Sequence, residues 1–455
     1  MGPLDYLKEH EAESLGQLKD FLRIPSISAQ SAHKDDVRRA GKWVADYLNK
    51  LGIKAEICET AGHPCVVAEY KKADNLPTVL IYGHYDVQPV DPVNLWKTAP
   101  FEPIEEEGYL IARGSTDDKG QMFAHLKGAE AYLKTTGALP CNVKFLIEGE
   151  EEASEGNLDE FIKKNKERLA ADIVLISDGS QYGTDMPAIN FGLRGIGFVE
   201  VKVTGPCKDL HSGSYGGAVA NPINVLCKMI AQLHDENGHV TIPGFYDNVY
   251  KATKWEKEQY AKLPFSAEEY RASTGAPKLW GEKGYMPLEQ NWIRPTLDCN
   301  GITGGYQGEG GKTIIPSWAS TKITMRLVPN MKPPEICDKI ETYLKKICPD
   351  TVTLEVIKHG GATPVQVSTD GPWLEAAARA IKTGFGKEPF FTKEGGSIPV
   401  VETFKSVLGI DTLLVGFGQQ TDNAHSPNER FSIKDFHRGC RTSAALFEEL
   451  SKVKK

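Results

Sequence analysis

Five short apolar runs constrain this chain more than any other feature: CVVAEY at 65–70, TVLIYG at 78–83, VKFLIEG at 143–149, DIVLIS at 172–177 and DTLLVGFG at 411–418. Each has the length of a strand, and none shows the apolar–polar alternation of a strand with one wet face. Stretches with helical periodicity lie before the first of them, at 36–52, and between later ones, at 118–137 and 157–168. Doubly buried strands alternating with helices predict an α/β fold: a mostly parallel sheet flanked by helices on both faces.

A chain of 455 residues exceeds what one core serves, so two or three domains are expected. After about residue 196 the texture changes. VEVKVTG (199–205), a helix at 221–235, ASTKITMRLVP (319–329), a helix at 333–346 and VTLEVIKHG (352–360) make two strand–helix units of a smaller α+β domain. It is expected to span 196–365, inserted into a larger domain built from 1–195 and 366–455. Within it, 236–295 is a charged, aromatic excursion with Trp255, Trp280 and Trp292, and its purpose is not readable from sequence. Further helices are expected at 4–22, 371–385 and 433–452.

The net charge of -8, with no basic run, argues against nucleic acid as a partner. No apolar run is long enough to cross a bilayer, and the N-terminal residues lack a secretory pattern. Nine cysteines with no CxxC pair suit buried free thiols in a reducing compartment, which places the expected location in the cytoplasm.

The ends of the apolar runs carry the chemistry. His84 and Asp86 (GHYD), Glu151 and Glu152 (EGEEE), Asp178 (ISDGS) and His425 (DNAHSPNE) each follow a predicted strand, and Asp117 (STDDKG) stands at the mouth of a helix. Singly, each has an ordinary explanation: a helix N-cap for Asp117–Asp118, a solvated loop for the glutamates, a turn cap for Asp178, a polar or core histidine for His84 and a surface loop for His425. Jointly they sit where open parallel sheets bind ligands, outside the carboxyl ends of the strands. Two imidazoles with several carboxylates suit two divalent ions such as zinc, cobalt or manganese. In His84-Tyr85-Asp86 the first and third side chains project to one side, so the carboxylate can accept the imidazole's second N–H. Glu151 and Glu152 diverge, which leaves one free to act as general base.

The segments GHYDVQPV, RGSTDDKG, EGEEEASEG, DLHSGSYGG, KTIIPSWASTKITMRLVPNM, EGGSIPV and DNAHSPNER resemble those of the cytosolic nonspecific dipeptidases. These are the carnosinase-like branch of the dinuclear metallopeptidases that include aminoacylase and carboxypeptidase G. The resemblance implies hydrolysis of dipeptides by a water activated by two metal ions, Zn2+ or Mn2+. It makes His84, Asp117, Glu152, Asp178 and His425 the metal ligands, with Asp117 bridging. Glu151 becomes the general base and Asp86 the orienter of His84, and the Asp117–Asp118 peptide bond is expected to be cis. His211 is expected to polarise the substrate carbonyl in the partner subunit of a homodimer. Thr313, Arg326, His359 and Ser397 match substrate-holding positions, the arginine suiting a carboxylate. The inserted domain becomes a lid and dimerisation domain. Aspartate at 178 resembles the dipeptidase side of the clan, where deacylases and carboxypeptidases more often carry glutamate.

Three other readings compete with this one. GYQGEGGKT at 305–313 nearly spells a phosphate-binding loop, but Tyr306 stands where glycine is needed, and Ile314-Ile315-Pro316 suits an extended segment rather than a helix. A non-catalytic metal-binding protein would be expected to lack a ligand or the base, and none is missing here. An N-acyl amino acid deacylase or a carboxypeptidase of the same clan differs only in pocket shape. His125, on a predicted helix without an acidic companion, reads as structural.

Overall fold

The computed structural model describes residues 1–153, 156–369, 371–396 and 398–454. The chain divides into two compact units, one of Met1–Phe191, Val367–Thr392 and Thr403–Lys455, the other of Gly192–Gln366 and Lys393–Glu402. The segment 393–402, expected with the larger domain, groups with the second unit.

In the first unit, strands Asn142–Glu148, Thr78–His84, Ile173–Ile176 and Thr412–Leu414 lie side by side and parallel. Cys65–Tyr70 runs antiparallel to Asn142–Glu148 and pairs with the edge strand Lys54–Cys58. The result is an α/β fold with a mostly parallel centre. Asn142–Glu148 and Ile173–Ile176 are buried at every residue, which is why their sequences do not alternate. The run at 411–418 leaves the ladder at Leu414, earlier than expected. Beyond it the two segments stay close without a regular ladder: the Val415 N–H donates to the Ile176 carbonyl at 2.9 Å, and a Cβ on Gly416 would stand 2.3 Å from the Gly179 carbonyl carbon. A buried strand that the sequence reading missed, Ala188–Leu193, pairs antiparallel beside Thr412–Leu414.

Helices Lys34–Lys50, Lys119–Thr135, Pro372–Phe385 and Ile433–Ser451 form where periodicity predicts them. The N-terminal helix is split into Pro3–Glu9 and Glu11–Leu22, because His10 leaves helical dihedrals and its Nδ1 donates to the Tyr6 carbonyl at 2.8 Å. His125 lies buried on Lys119–Thr135 between the hydroxyls of Ser177 (2.8 Å) and Ser443 (3.0 Å), a structural histidine.

The second unit holds an antiparallel sheet in the order Thr296–Gly304, Trp318–Leu327, Gly195–Thr204, Thr353–Ala362. Its burial alternates along Gly195–Thr204. Val199, Val201, Val203, Ile323 and Met325 enter a core with Leu226 and Ile340 from helices Pro222–Ala231 and Pro333–Ile347. The excursion folds into short helices Lys254–Lys262, Ala267–Thr274 and Pro287–Trp292. A buried ion pair, Glu256 with Lys393 at 2.9 Å, ties the first of them to the segment 393–402 of the same unit.

All nine cysteines are free, with Cys207, Cys227 and Cys299 exposed rather than buried. Among the described residues no helix is long and apolar enough to cross a membrane.

Candidate metal centre

The carboxyl ends of the four parallel strands place the expected residues of the first unit together. His84 is the last residue of the central strand Thr78–His84 and is fully buried. Its backbone N–H donates to the carboxylate of Asp118 at 3.2 Å. Gly83 permits this approach, since a Cβ there would stand 2.8 Å from the same carboxylate. The Asp117–Asp118 peptide bond is cis. Asp178 follows Ile173–Ile176, and Glu151 and Glu152 begin a short 3-10 turn after Asn142–Glu148. His425 lies in the loop after Thr412–Leu414 with a left-handed backbone, φ 62°, flanked by Asn423 and Asn428 in the same region.

Asp117 stands between the two imidazoles. Its Oδ1 is 3.1 Å from His84 Nε2, and its Oδ2 is 2.9 Å from His425 Nε2. Asp178 Oδ2 lies 3.8 Å from His84 Nε2, and Glu152 Oε2 lies 3.3 Å from His425 Nε2. Two groups result, His84–Asp117–Asp178 and Asp117–Glu152–His425, each offering ligand atoms within 4.8 Å of one another. One imidazole and two carboxylates per group is a donor set that fits a first-row divalent ion.

The electrostatics agree. Although burial disfavours its charge, hydrogen bonds to Asp117 and Asp86 raise the His84 pKa well above the ordinary value. Hydrogen bonds to Asp117 and Glu152 raise that of His425 to about 10. Burial, with the Asp117 charge, raises the Asp178 carboxyl well above the usual range. Burial pushes Glu151 up to about 7, with Glu152, Asp86 and Asp117 adding and His84 opposing. The carboxylates thus surround both imidazoles with negative charge, a field in which a cation would be favoured.

Asp86 does two things. Its backbone carbonyl lies 3.0 Å from His84 Nδ1, with its carboxylate 3.4 Å away. That carboxylate also accepts the backbone N–H groups of Glu151 (3.3 Å) and Glu152 (3.1 Å), so one buried side chain touches His84 and fixes the glutamate turn.

A residue that the sequence reading missed completes the support. Glu429 is fully buried and accepts four N–H donors: Thr116 N (3.0 Å) and Asp117 N (3.1 Å) on Oε1, Gly114 N (2.9 Å) and Arg113 Nη1 (2.8 Å) on Oε2. It holds the turn that presents Asp117.

The remaining expected residues lie in the second unit. His211, in the short strand Leu210–His211, pairs with Ile314, and the next residue's N–H donates to the Thr313 carbonyl at 3.0 Å, which brings His211 and Thr313 together. The segment after Lys312-Thr313 is the strand Ile314–Ile315, not a helix, and Lys312 lies 3.6 Å from Asp209; this is no phosphate loop. Arg326 lines a cavity of about 440 Å³ together with Arg194, Asn291, Arg294 and Trp280. The excursion therefore supplies a wall of that cavity. Arg294 is held by Glu282 through two contacts of 2.7 Å, so it is already paired. His359 stacks on Phe198 with ring centroids 4.6 Å apart. Ser397 lies outside the described residues.

The profile of peptidase family M20/M25/M40 matches residues 80–449. The chain belongs to this family. It is 34% identical to the Cys-Gly metallodipeptidase of Candida albicans, over 96% of this chain and 94% of that one. It is 31% identical to the human Beta-Ala-His dipeptidase, over 98% of this chain and 92% of that one. Among solved structures, human carnosine dipeptidase 1 matches with a TM-score of 0.84 at 31% identity, covering 99% of this chain and 98% of that one. A metallo-carboxypeptidase from Sulfolobus solfataricus matches with a TM-score of 0.86 at 35% identity, covering 96% and 99%. The chain is thus an M20 metallopeptidase whose relatives include dipeptidases.

Proposed function

We propose that this M20 peptidase is a metal-dependent dipeptidase of broad specificity, using two divalent ions, Zn2+ or Mn2+. The observation that carries the reading is Asp117, whose two carboxylate oxygens each face a different imidazole within 3.1 Å. In this reading His84 and Asp178 hold one ion, Glu152 and His425 hold the other, and Asp117 serves both. Two such ions supply Lewis-acid polarisation of a peptide carbonyl and lower the pKa of water. Glu151 takes the proton from the attacking water and returns it to the leaving amine nitrogen. Asp86 keeps His84 oriented and the Glu151–Glu152 turn in place.

Arg326 takes the free carboxylate of the substrate through its guanidinium fork, His359 and Ser397 hold the rest, and Thr313, beside His211, reaches the substrate together with it. His211 polarises the carbonyl from the partner subunit of a homodimer, and the second unit serves as lid and dimerisation domain. Strand geometry supports donation in trans. The His211–Thr313 segment joins the strand Trp318–Leu327 at its Trp318 end, whereas Arg326 stands eight residues further on, roughly 27 Å at about 3.4 Å per residue. A dipeptide spans about 7 Å. The free cysteines suit the reducing cytoplasm as the place of work.

The similarity to the Sulfolobus metallo-carboxypeptidase favours a second reading, removal of a C-terminal residue from longer or N-acylated peptides. A panel of one dipeptide, the matching tripeptide and the matching N-acetyl amino acid, assayed on metal-refilled protein, separates the two. The dipeptidase reading expects the dipeptide to be preferred. Preference for the tripeptide or the N-acetyl compound would overturn it.

A further inference from the structure

Cys58 and Cys65 stand directly opposite each other on the last rung of the edge hairpin, where Lys54–Cys58 pairs with Cys65–Tyr70. Residues in that relation send their side chains to one face, with Cβ atoms about 4.5–5.5 Å apart. Antiparallel rungs set Cα atoms about 4.5 or 5.5 Å apart, inside the range of about 4.4–6.8 Å that a disulfide spans. The rung borders the loop 59–64, which closes the hairpin. Cys65 is buried and Cys58 only partly so, which leaves Cys58 as the sulfur a reagent can reach. Arg168 points Nη1 at Cys58 Sγ from 3.5 Å and is itself held by Glu56 at 3.0 Å.

We propose that Cys58 and Cys65 form a reversible thiol-oxidation site that takes low-molecular-weight disulfides. The Cys58 thiolate attacks one sulfur of the reagent, whose S–S bond breaks; one thiolate leaves and Cys58 carries the other half as a mixed disulfide. Cys65 gives up its proton and attacks the Cys58 sulfur, expelling the second thiolate. The pair loses two electrons and two protons, and the reagent becomes two thiols. The local charges favour this order of events. The hydrogen bond from Cys65 and the Arg168 charge bring the Cys58 pKa down to about 6, against partial burial, while the same hydrogen bond and burial push Cys65 up.

No lysine or arginine lies within 55–70, so trypsin releases both cysteines in one peptide, 55–71, which contains no other cysteine. The native protein is treated with oxidised glutathione, quenched, alkylated and analysed by mass spectrometry. In the wild type this peptide should lose two hydrogens at least tenfold faster than glutathione adds to the exposed Cys207 or Cys227, and dithiothreitol should reverse it. In Cys65→Ser the peptide should instead retain one glutathione on Cys58. In Cys58→Ser, Cys65 should stay unmodified. A wild-type peptide that remains a dithiol while the exposed cysteines react would overturn the proposal. So would Cys58→Ser modified at Cys65 as fast as the wild-type pair closes.

Discussion

Glu429→Gln tests how far the metal centre depends on a residue that does not touch it. The Glu429 carboxylate accepts Arg113 and three backbone N–H groups, all from the turn 113–117, and both charged side chains are essentially inaccessible. An amide of the same shape keeps one accepting oxygen and turns an NH2 toward two of the four donors. It also leaves Arg113 buried without its counter-charge. Breaking a buried pair by altering one partner costs about 3–5 kcal/mol. The displaced turn carries Asp117, the carboxylate shared by both candidate ion groups. Outer partners of metal ligands typically contribute about tenfold to hundredfold in metal affinity. The variant should therefore unfold at lower denaturant and bind its metal at least tenfold more weakly in a competition titration with a chelator. Wild-type metal affinity together with an unchanged denaturant midpoint would refute the role assigned to Glu429.

Glu151→Gln should retain both ions by elemental analysis and lose about 10²–10⁴-fold in kcat, since a positioned general base contributes about that much; near-normal turnover with both metals bound would remove Glu151 as the base. His125 gives a stability test at a residue that is not among the ligands. Burial brings its pKa down to about 3 in the folded chain, below the unfolded value of about 6.5, so between those values the unfolded chain binds the extra proton. Its contribution is present above pH 6.5 and falls with pH, by about 2 kcal/mol from pH 7.5 to pH 5. His125→Gln should flatten the acid slope of the denaturant midpoint by that amount, and an unchanged slope would contradict the assignment. For donation of His211 in trans, inactive Glu151→Gln and His211→Ala chains are mixed under exchange. Half the dimers become mixed and each has one intact site, so about a quarter of wild-type activity should return; no recovery despite exchange would count against a shared site.

The centre of the fold was legible because doubly buried parallel strands leave unbroken apolar runs, and the ligand candidates were legible because such strands end at the site. Ala188–Leu193 escaped notice because Asn190 and Gly192 interrupt its apolar character, although the whole strand is buried. Glu429 falls inside the DNAHSPNER segment, but nothing in its type or spacing points to a role. A glutamate in a polar loop looks solvated, and only the closed fold brings it onto residues more than three hundred positions earlier. The excursion at 236–295 was equally opaque, because its work is done through single long-range contacts: Glu256 with Lys393, and Asn291, Arg294 and Trp280 around the cavity that holds Arg326. Asp86 was read as a partner of His84, but its bonds to the Glu151 and Glu152 amides depend on a turn whose shape the sequence does not announce.

The most direct measurement is a metal titration of chelator-stripped protein with Zn2+ or Mn2+, with hydrolysis of an unblocked dipeptide as the readout. Two ions sharing Asp117 predict no activity in the stripped protein and a rise that levels off at two equivalents per chain. Dipeptide hydrolysis without metal, or full activity at one equivalent, would contradict the account.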